Sequence, residues 1–209
     1  MRKLFSAFSA LFLTLTVQAA KPIAENADMV RPLLNGHQLP EVKVTTIDGD
    51  LVDLSAITAN KKTILFFYRG GWCPFCNTQM GQLQQISGRL KDLGFQLIGI
   101  STDAPQALKK SIKKRDLDYT LLSDFNSQVS QSFGLAFFAS QKTTDRYLAK
   151  MKLENPLQKN AQGQPRLVLP VPAVYVIDAK GLVQFNYVNP NFKVRLHEQL
   201  LLKAAQLVK

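Results

Sequence analysis

A Trp-Cys-Pro-Phe-Cys turn, residues 72–76, sits between an uninterrupted apolar run and a long amphipathic segment. The run, Thr63 to Tyr68, has the pattern of a strand buried on both faces. The segment from Pro74 to Leu93 carries Met80, Leu83, Ile86, Leu90 and Leu93 at helical spacing, and Gly94 ends it. This order places Cys73 at a helix cap and Cys76 in the first turn, three residues apart on one face and within reach of a disulfide. Free amide N–H groups and the positive end of the helix dipole stabilise a thiolate there, and Arg69 adds to the effect. The spacing therefore predicts a low-pKa, reversible dithiol.

Competing uses of the two thiols are weaker. A structural disulfide closing so short a loop stabilises little. Haem attachment needs a histidine after the second cysteine, and residue 77 is asparagine. The chain has only two cysteines and two histidines, His37 and His197, too few for a disulfide-dense scaffold or a Cys/His zinc cage. A metal site would have to recruit those histidines from distant segments, so no metal and no cofactor is expected. Both histidines read as structural or surface residues.

The remaining chain alternates strands and helices. Val42 to Thr46 and Leu51 to Leu54 flank the turn Asp48-Gly49-Asp50, a hairpin signature. Phe95 to Ser101 reads as a second buried strand, Pro105 to Arg115 as a helix, Thr120 to Leu122 as a strand and Asn126 to Phe133 as a short helix. Ala173 to Ile177 and Leu182 to Tyr187 form a second hairpin, and Lys193 to Val208 a closing helix. The expected fold is α/β: a mixed central sheet covered on both faces, in thioredoxin-fold order, with an added N-terminal hairpin. Ala136 to Leu169 fits least well. Thr143 to Leu153 suits a helix, and the polar stretch Asn155 to Pro165 an exposed loop near the site.

At 209 residues, with 46% hydrophobic and 20% charged residues, the length suits a single domain. Residues 1–19 read as a signal peptide and 20–209 as that domain. Arg2 and Lys3 precede an apolar run from Leu4 to Val17, and Val17-Gln18-Ala19 suits cleavage. This predicts a periplasmic or secreted protein with no stable membrane insertion after processing. The net charge is +11, two of it from Arg2 and Lys3. The densest basic run, Lys109, Lys110, Lys113, Lys114 and Arg115, is interleaved with Leu108 and Ile112. It reads as the wet side of an amphipathic helix. No aromatic stacking pattern accompanies it, so no nucleic-acid partner is expected.

Three stretches, Phe66 to Cys76, Leu121-Leu122-Ser123-Asp124 leading to Phe133-Gly134-Leu135, and Val171 to Asp178, resemble the peroxiredoxin-like branch of the alkyl hydroperoxide reductase/thiol-specific antioxidant (AhpC/TSA) family. The resemblance covers roughly Pro40 to Leu200. In typical members the site reads Pro-x-x-x-Thr/Ser-x-x-Cys. Here Arg69 stands in the Pro position, Cys73 in the Thr position and Cys76 in that of the peroxidatic cysteine. The family's activating arginine, expected just before the late strand, is replaced around Val171-Pro172, with Arg166 nearby in sequence.

The resemblance implies a peroxiredoxin-like enzyme, and the N-terminal segment an exported one. The Cys76 thiolate attacks a peroxide, Cys73 condenses with the sulfenic acid, and an external dithiol restores both. Trp72, Arg69 and Pro172 are the substrate-positioning candidates. Two alternatives stand beside it. Protein disulfide exchange would start from Cys73, helped by a cis Val171-Pro172 bond facing the dithiol; a non-catalytic copper-binding or assembly protein would use both thiols as soft ligands. Asp103 reads either as an aid to proton transfer or as part of a plain helix start.

Overall fold

The computed structural model describes residues 21–208. The proposed signal peptide therefore lies outside the described residues. In chain order the elements are β1 (Lys43–Thr45), β2 (Leu51–Asp53), α1 (Leu54–Thr58), β3 (Lys62–Tyr68), α2 (Pro74–Asp92), β4 (Phe95–Ser101), α3 (Pro105–Arg115), β5 (Thr120–Ser123) and α4 (Gln128–Ser132). They continue as β6 (Ala136–Phe138), α5 (Gln141–Met151), β7 (Gln158–Lys159), β8 (Pro165–Arg166), β9 (Val168–Pro170), β10 (Ala173–Ile177), β11 (Val183–Val188) and α6 (Glu198–Leu207).

Seven strands form one mixed sheet in the order β11-β10-β3-β4-β5-β1-β2. β3, β4 and β5 run parallel, while β10 pairs antiparallel with β3 and β1 with β5. This is the mixed α/β sheet expected from the sequence, with the β1–β2 hairpin added at its edge. The alternation of β3 divides the core. Ile64, Phe66 and Tyr68 pack with Met80, Leu83 and Leu90 of α2 and with Leu201 and Leu202 of α6. Leu65 and Phe67 face the other way, against Phe133, Ile98 and Tyr175. β3 is buried on both faces, and its C-terminal end leads into the cysteine turn.

The region that fitted least well, Ala136 to Leu169, is a small layer of its own. β6 pairs with β9, and β7 with β8. The segment read as an exposed loop thus contains a short ribbon, and its first residue, Asn155, is buried. Its amide donates to the carbonyls of Thr102 at 2.7 Å and Phe125 at 3.1 Å. The four lysines of the basic run are exposed as expected, and Lys109 pairs with Asp48 at 2.8 Å, but Arg115 is half-buried and donates to the Gly71 carbonyl at 3.4 Å. Among the described residues no helix is long and apolar enough to cross a membrane.

Asp124 ties the second core together. Its buried carboxylate accepts the N–H groups of Val129 and Ser130, each at 2.8 Å, and burial raises its pKa to about 6. Asp124→Ala strands two buried donors and is expected to cost about 2–4 kcal/mol, read from the urea midpoint. The unfolded carboxyl titrates near 3.9, so the folded state binds the proton more tightly. Wild-type stability then falls as pH rises from about 4 to about 6, and its margin over the variant is largest at the acid end.

Candidate active site

The site begins where β3 ends. Gly70 has φ +151°, and a Cβ there would lie 2.2 Å from Nε1 of Trp72, so the backbone turns in a space only glycine fits. The Gly71 N–H donates to Asp103 Oδ2 at 2.7 Å, and Asn77 reaches back from α2 to the Gly71 carbonyl at 3.0 Å. Asp103 is therefore no helix cap; Ala104 takes that place, and the buried carboxylate holds the turn. Burial raises the Asp103 pKa, and the bond from Gly71 opposes the rise.

Cys73 caps α2, Pro74 follows it, and Cys76 lies in the first turn, as the spacing predicts. Both thiols are free and buried. The Cys73 pKa falls to about 6, first through hydrogen bonding with the Cys76 thiol, then, against the cost of burial, through the Cys76 backbone and the charges of Arg69 and Arg195. Cys76 moves the other way. Burial pushes its thiol up and the bond to Cys73 holds the proton on it, while Arg195 pulls toward the anion. The surroundings thus favour a thiolate on Cys73 over one on Cys76. In the reduced protein, thiolate absorbance is expected to rise with a midpoint near pH 6, far below the ordinary value of about 8.5. A single midpoint above 8 would contradict this geometry.

Arg195 is the residue that sequence reading missed. Its Nη2 donates to Cys76 Sγ at 3.2 Å, and its Nε and Nη1 are buried without a partner among the described residues. Arg195 also lines a surface cavity of about 230 Å³ with Phe75, Gln79 and Lys193. Gln79 is buried, and its Oε1 has no partner either. Arg195 and Gln79 thus both line this small space and both carry buried, unpartnered polar atoms near the Cys76 sulfur. Arg166 takes no part, since its guanidinium bonds to Gln141 and Gln164.

The other candidates gather on the opposite side of the turn. Arg69 is buried, donates to the Tyr147 hydroxyl and lies 4.0 Å from the Phe192 ring centre and 5.2 Å from that of Trp72. Trp72 stands edge-on to Tyr147 with centroids 4.9 Å apart. Pro172 lines a cavity together with Arg69, but the Val171-Pro172 bond is not cis: no cis peptide bond occurs among the described residues. The expected thioredoxin-like cis proline is absent, because a proline opening a buried strand needs only its fixed φ and the loss of one N–H. His197 caps α6, accepting the Gln199 N–H at 3.2 Å, and His37 accepts the Leu34 N–H at 3.4 Å.

Residues 35–186 match the AhpC/TSA family. The chain belongs to that family. Among AhpC/TSA relatives, a putative peroxiredoxin bcp of Haemophilus influenzae is 37% identical over 106 residues, 51% of this chain and 68% of the relative. Peroxiredoxin Bcp of Escherichia coli is 33% identical over the same length, covering 67% of that protein. In fold, the chain is similar to the peroxidoxin BcpB of Mycobacterium tuberculosis, with a TM-score of 0.63 and 19% identity, covering 84% of this chain and 97% of the other. The AhpC/TSA match spans β3, the cysteine turn and α2.

Proposed function

We propose that the protein reduces peroxides through a Cys73/Cys76 dithiol–disulfide cycle. The observation that carries this reading is Arg195: its Nη2 donates to the Cys76 sulfur, and its Nε and Nη1 nitrogens have no partner among the described residues. A peroxide needs donors for its oxygens and an acceptor for its proton, and Arg195 and Gln79 hold both in the wall of one cavity, buried until a peroxide reaches them. Two relatives named peroxiredoxins support the same chemistry.

The proton inventory follows from the resting state. The Cys73 thiolate takes the proton of Cys76, and Arg195 stabilises the Cys76 anion that forms. Cys76 attacks one peroxide oxygen and the O–O bond breaks. The leaving oxygen takes a proton from the Cys73 thiol and departs as water, leaving Cys76 sulfenic acid. The Cys73 thiolate then attacks the Cys76 sulfur, the S–O bond breaks, and the departing hydroxide takes a proton from solvent. Dithiol and peroxide become one disulfide and two waters, and an external dithiol reduces the disulfide.

A second order, with Cys73 attacking first as in disulfide exchange, is favoured by the resting thiolate on Cys73. That reading has lost its support from a cis proline. Copper binding fares worse, because Arg69 and Arg195 place two fixed positive charges around the sulfurs where the metal would sit. The basic start, apolar run and Val-Gln-Ala end of residues 1–19 support export and work outside the cytoplasm. The test is stoichiometry. One equivalent of hydrogen peroxide should convert the reduced protein to an intramolecular disulfide, seen by intact mass as the loss of two hydrogens. An unchanged mass would refute the proposal.

A further inference from the structure

Beyond the dithiol, on the far side of Arg69, lies a second cavity of about 260 Å³. Its walls include Phe137, Phe138, Leu169, Pro172 and Phe192, and no Asp or Glu lines it. For comparison, a dry apolar cavity of about 150 Å³ in another protein holds benzene. There is room here for one ring and a short polar arm. A cavity with these walls would normally bind neutral apolar molecules, but this one is bordered by charge.

Arg69 is 3% exposed, and among the described residues no carboxylate lies within ion-pair distance of it. Among the described residues its side chain hydrogen-bonds to Tyr147 alone, and its Nε–H has no partner. The rings of Phe192, Trp72 and Tyr147 around the guanidinium offset part of the cost of burying it. They do not satisfy the free donor. Two further positive groups stand at the same cavity. Arg146 is exposed at its rim, and the N-terminus of α5, capped by Ser140 and without an acidic residue in its first turn, borders it. A buried cation with a free N–H, an exposed cation and a helix N-terminus, set around apolar walls, are complementary to one class of molecule.

We propose that this cavity binds a small amphipathic carboxylate, its apolar body against Phe137, Phe138 and Phe192 and its carboxylate on Arg69. The site is separate from the peroxide cavity at Arg195, and its occupation requires no peroxide. It would also speak to the dithiol. The charged groups facing Cys73 are Arg69 from the turn and Arg195 from the segment before α6, together with the Cys76 thiol. An anion on Arg69 removes part of the positive field that favours the Cys73 thiolate, so occupancy weakens that thiolate.

Trp72 is the only tryptophan, and it lies against Arg69 and Tyr147. The experiment titrates the reduced protein with 3-phenylpropionate at constant ionic strength, reading Trp72 fluorescence, with 3-phenylpropanol and propionate as controls. Phenylpropionate should saturate at least about tenfold more tightly than either control, a difference of about 1.4 kcal/mol. At saturation the thiolate midpoint should move up. Arg69→Gln should erase the preference for the acid over the alcohol. Arg146→Gln, at an exposed position, should weaken phenylpropionate severalfold and leave phenylpropanol unchanged. Equal affinity for acid and alcohol in the wild type, no saturable response, or an unmoved thiolate midpoint at saturation would overturn the proposal.

Discussion

Cys76→Ser is expected to abolish peroxide reduction, whereas Cys73→Ser should consume one equivalent of peroxide and stop at Cys76 sulfenic acid. The asymmetry comes from the surroundings of the two sulfurs. Cys76 is buried and bears the Arg195 guanidinium at 3.2 Å, and Arg195 lines the cavity with Gln79, so the Cys76 sulfur is the one a peroxide held by Arg195 would meet. Cys73 serves first as the base for the Cys76 proton and then as the thiol that closes the disulfide. A serine at 73 performs neither task, so Cys73→Ser should react more slowly in its single turnover and leave a sulfenic acid that a dimedone-type reagent captures on Cys76. If the Cys76→Ser protein instead forms sulfenic acid on Cys73, or traps mixed disulfides with other proteins, the order of attack is reversed.

Arg195→Met is expected to lower the second-order rate of oxidation by hydrogen peroxide about 100-fold, the usual cost of removing one donor aimed at developing charge. Methionine keeps the aliphatic stem and removes the three roles of the guanidinium: the bond to Sγ, the pull toward the Cys76 anion, and the free N–H groups for the leaving oxygen. Arg195→Lys should recover part of the rate, since a point charge restores the field without the paired donors. Arg166→Met should leave the rate near wild type, because that arginine bonds to Gln141 and Gln164 away from the sulfurs. Loss of the same magnitude in both arginine variants would show that general charge, and not the contact with Cys76, sets the rate.

The strand-turn-helix unit was legible in the sequence because each of its signals is local. A continuous apolar strand, helical spacing from Met80 to Leu90, a proline after the cap and two cysteines three apart all report on neighbours in the chain. β3, α2, β4, α3 and β10 accordingly lie within a residue of their expected limits. The arginine at the sulfur was not legible. Lys193 to Val208 reads as one helix by its spacing, but α6 begins only at Glu198. Asn189 Oδ1 accepts the Asn191 N–H at 2.9 Å and Asn191 Oδ1 the Lys193 N–H at 3.1 Å, so side chains hold the backbone in turns until His197 caps the helix. Those turns carry Arg195 to Cys76, 119 residues away in sequence.

Gln79 did leave a signal. It lies three residues after Cys76 and next to Met80 on the buried side of α2, where a polar residue has no place unless a partner or a ligand meets it. Pro172 left a misleading one. A proline opening the strand that faces a dithiol is the same letter whether the bond before it is cis or trans, and only the backbone of β9 and β10 decides. Arg69 was correctly placed beside the thiols. Its aromatic surroundings, drawn from Tyr147 on α5 and Phe192 after β11, depend on tertiary packing that no local pattern encodes.

The claim that the dithiol is built for peroxide is tested most directly by a rate comparison. Reduced protein is mixed in a stopped-flow instrument with hydrogen peroxide, and separately with a protein disulfide at equal concentration, while Trp72 fluorescence follows formation of the Cys73–Cys76 bond. Oxidation by peroxide that is orders of magnitude faster than by free cysteine, faster than by the disulfide, and half-maximal near pH 6 as Cys73 loses its proton, is the predicted result. Oxidation by the disulfide at the higher rate, with peroxide reacting no faster than it does with free cysteine, would contradict it.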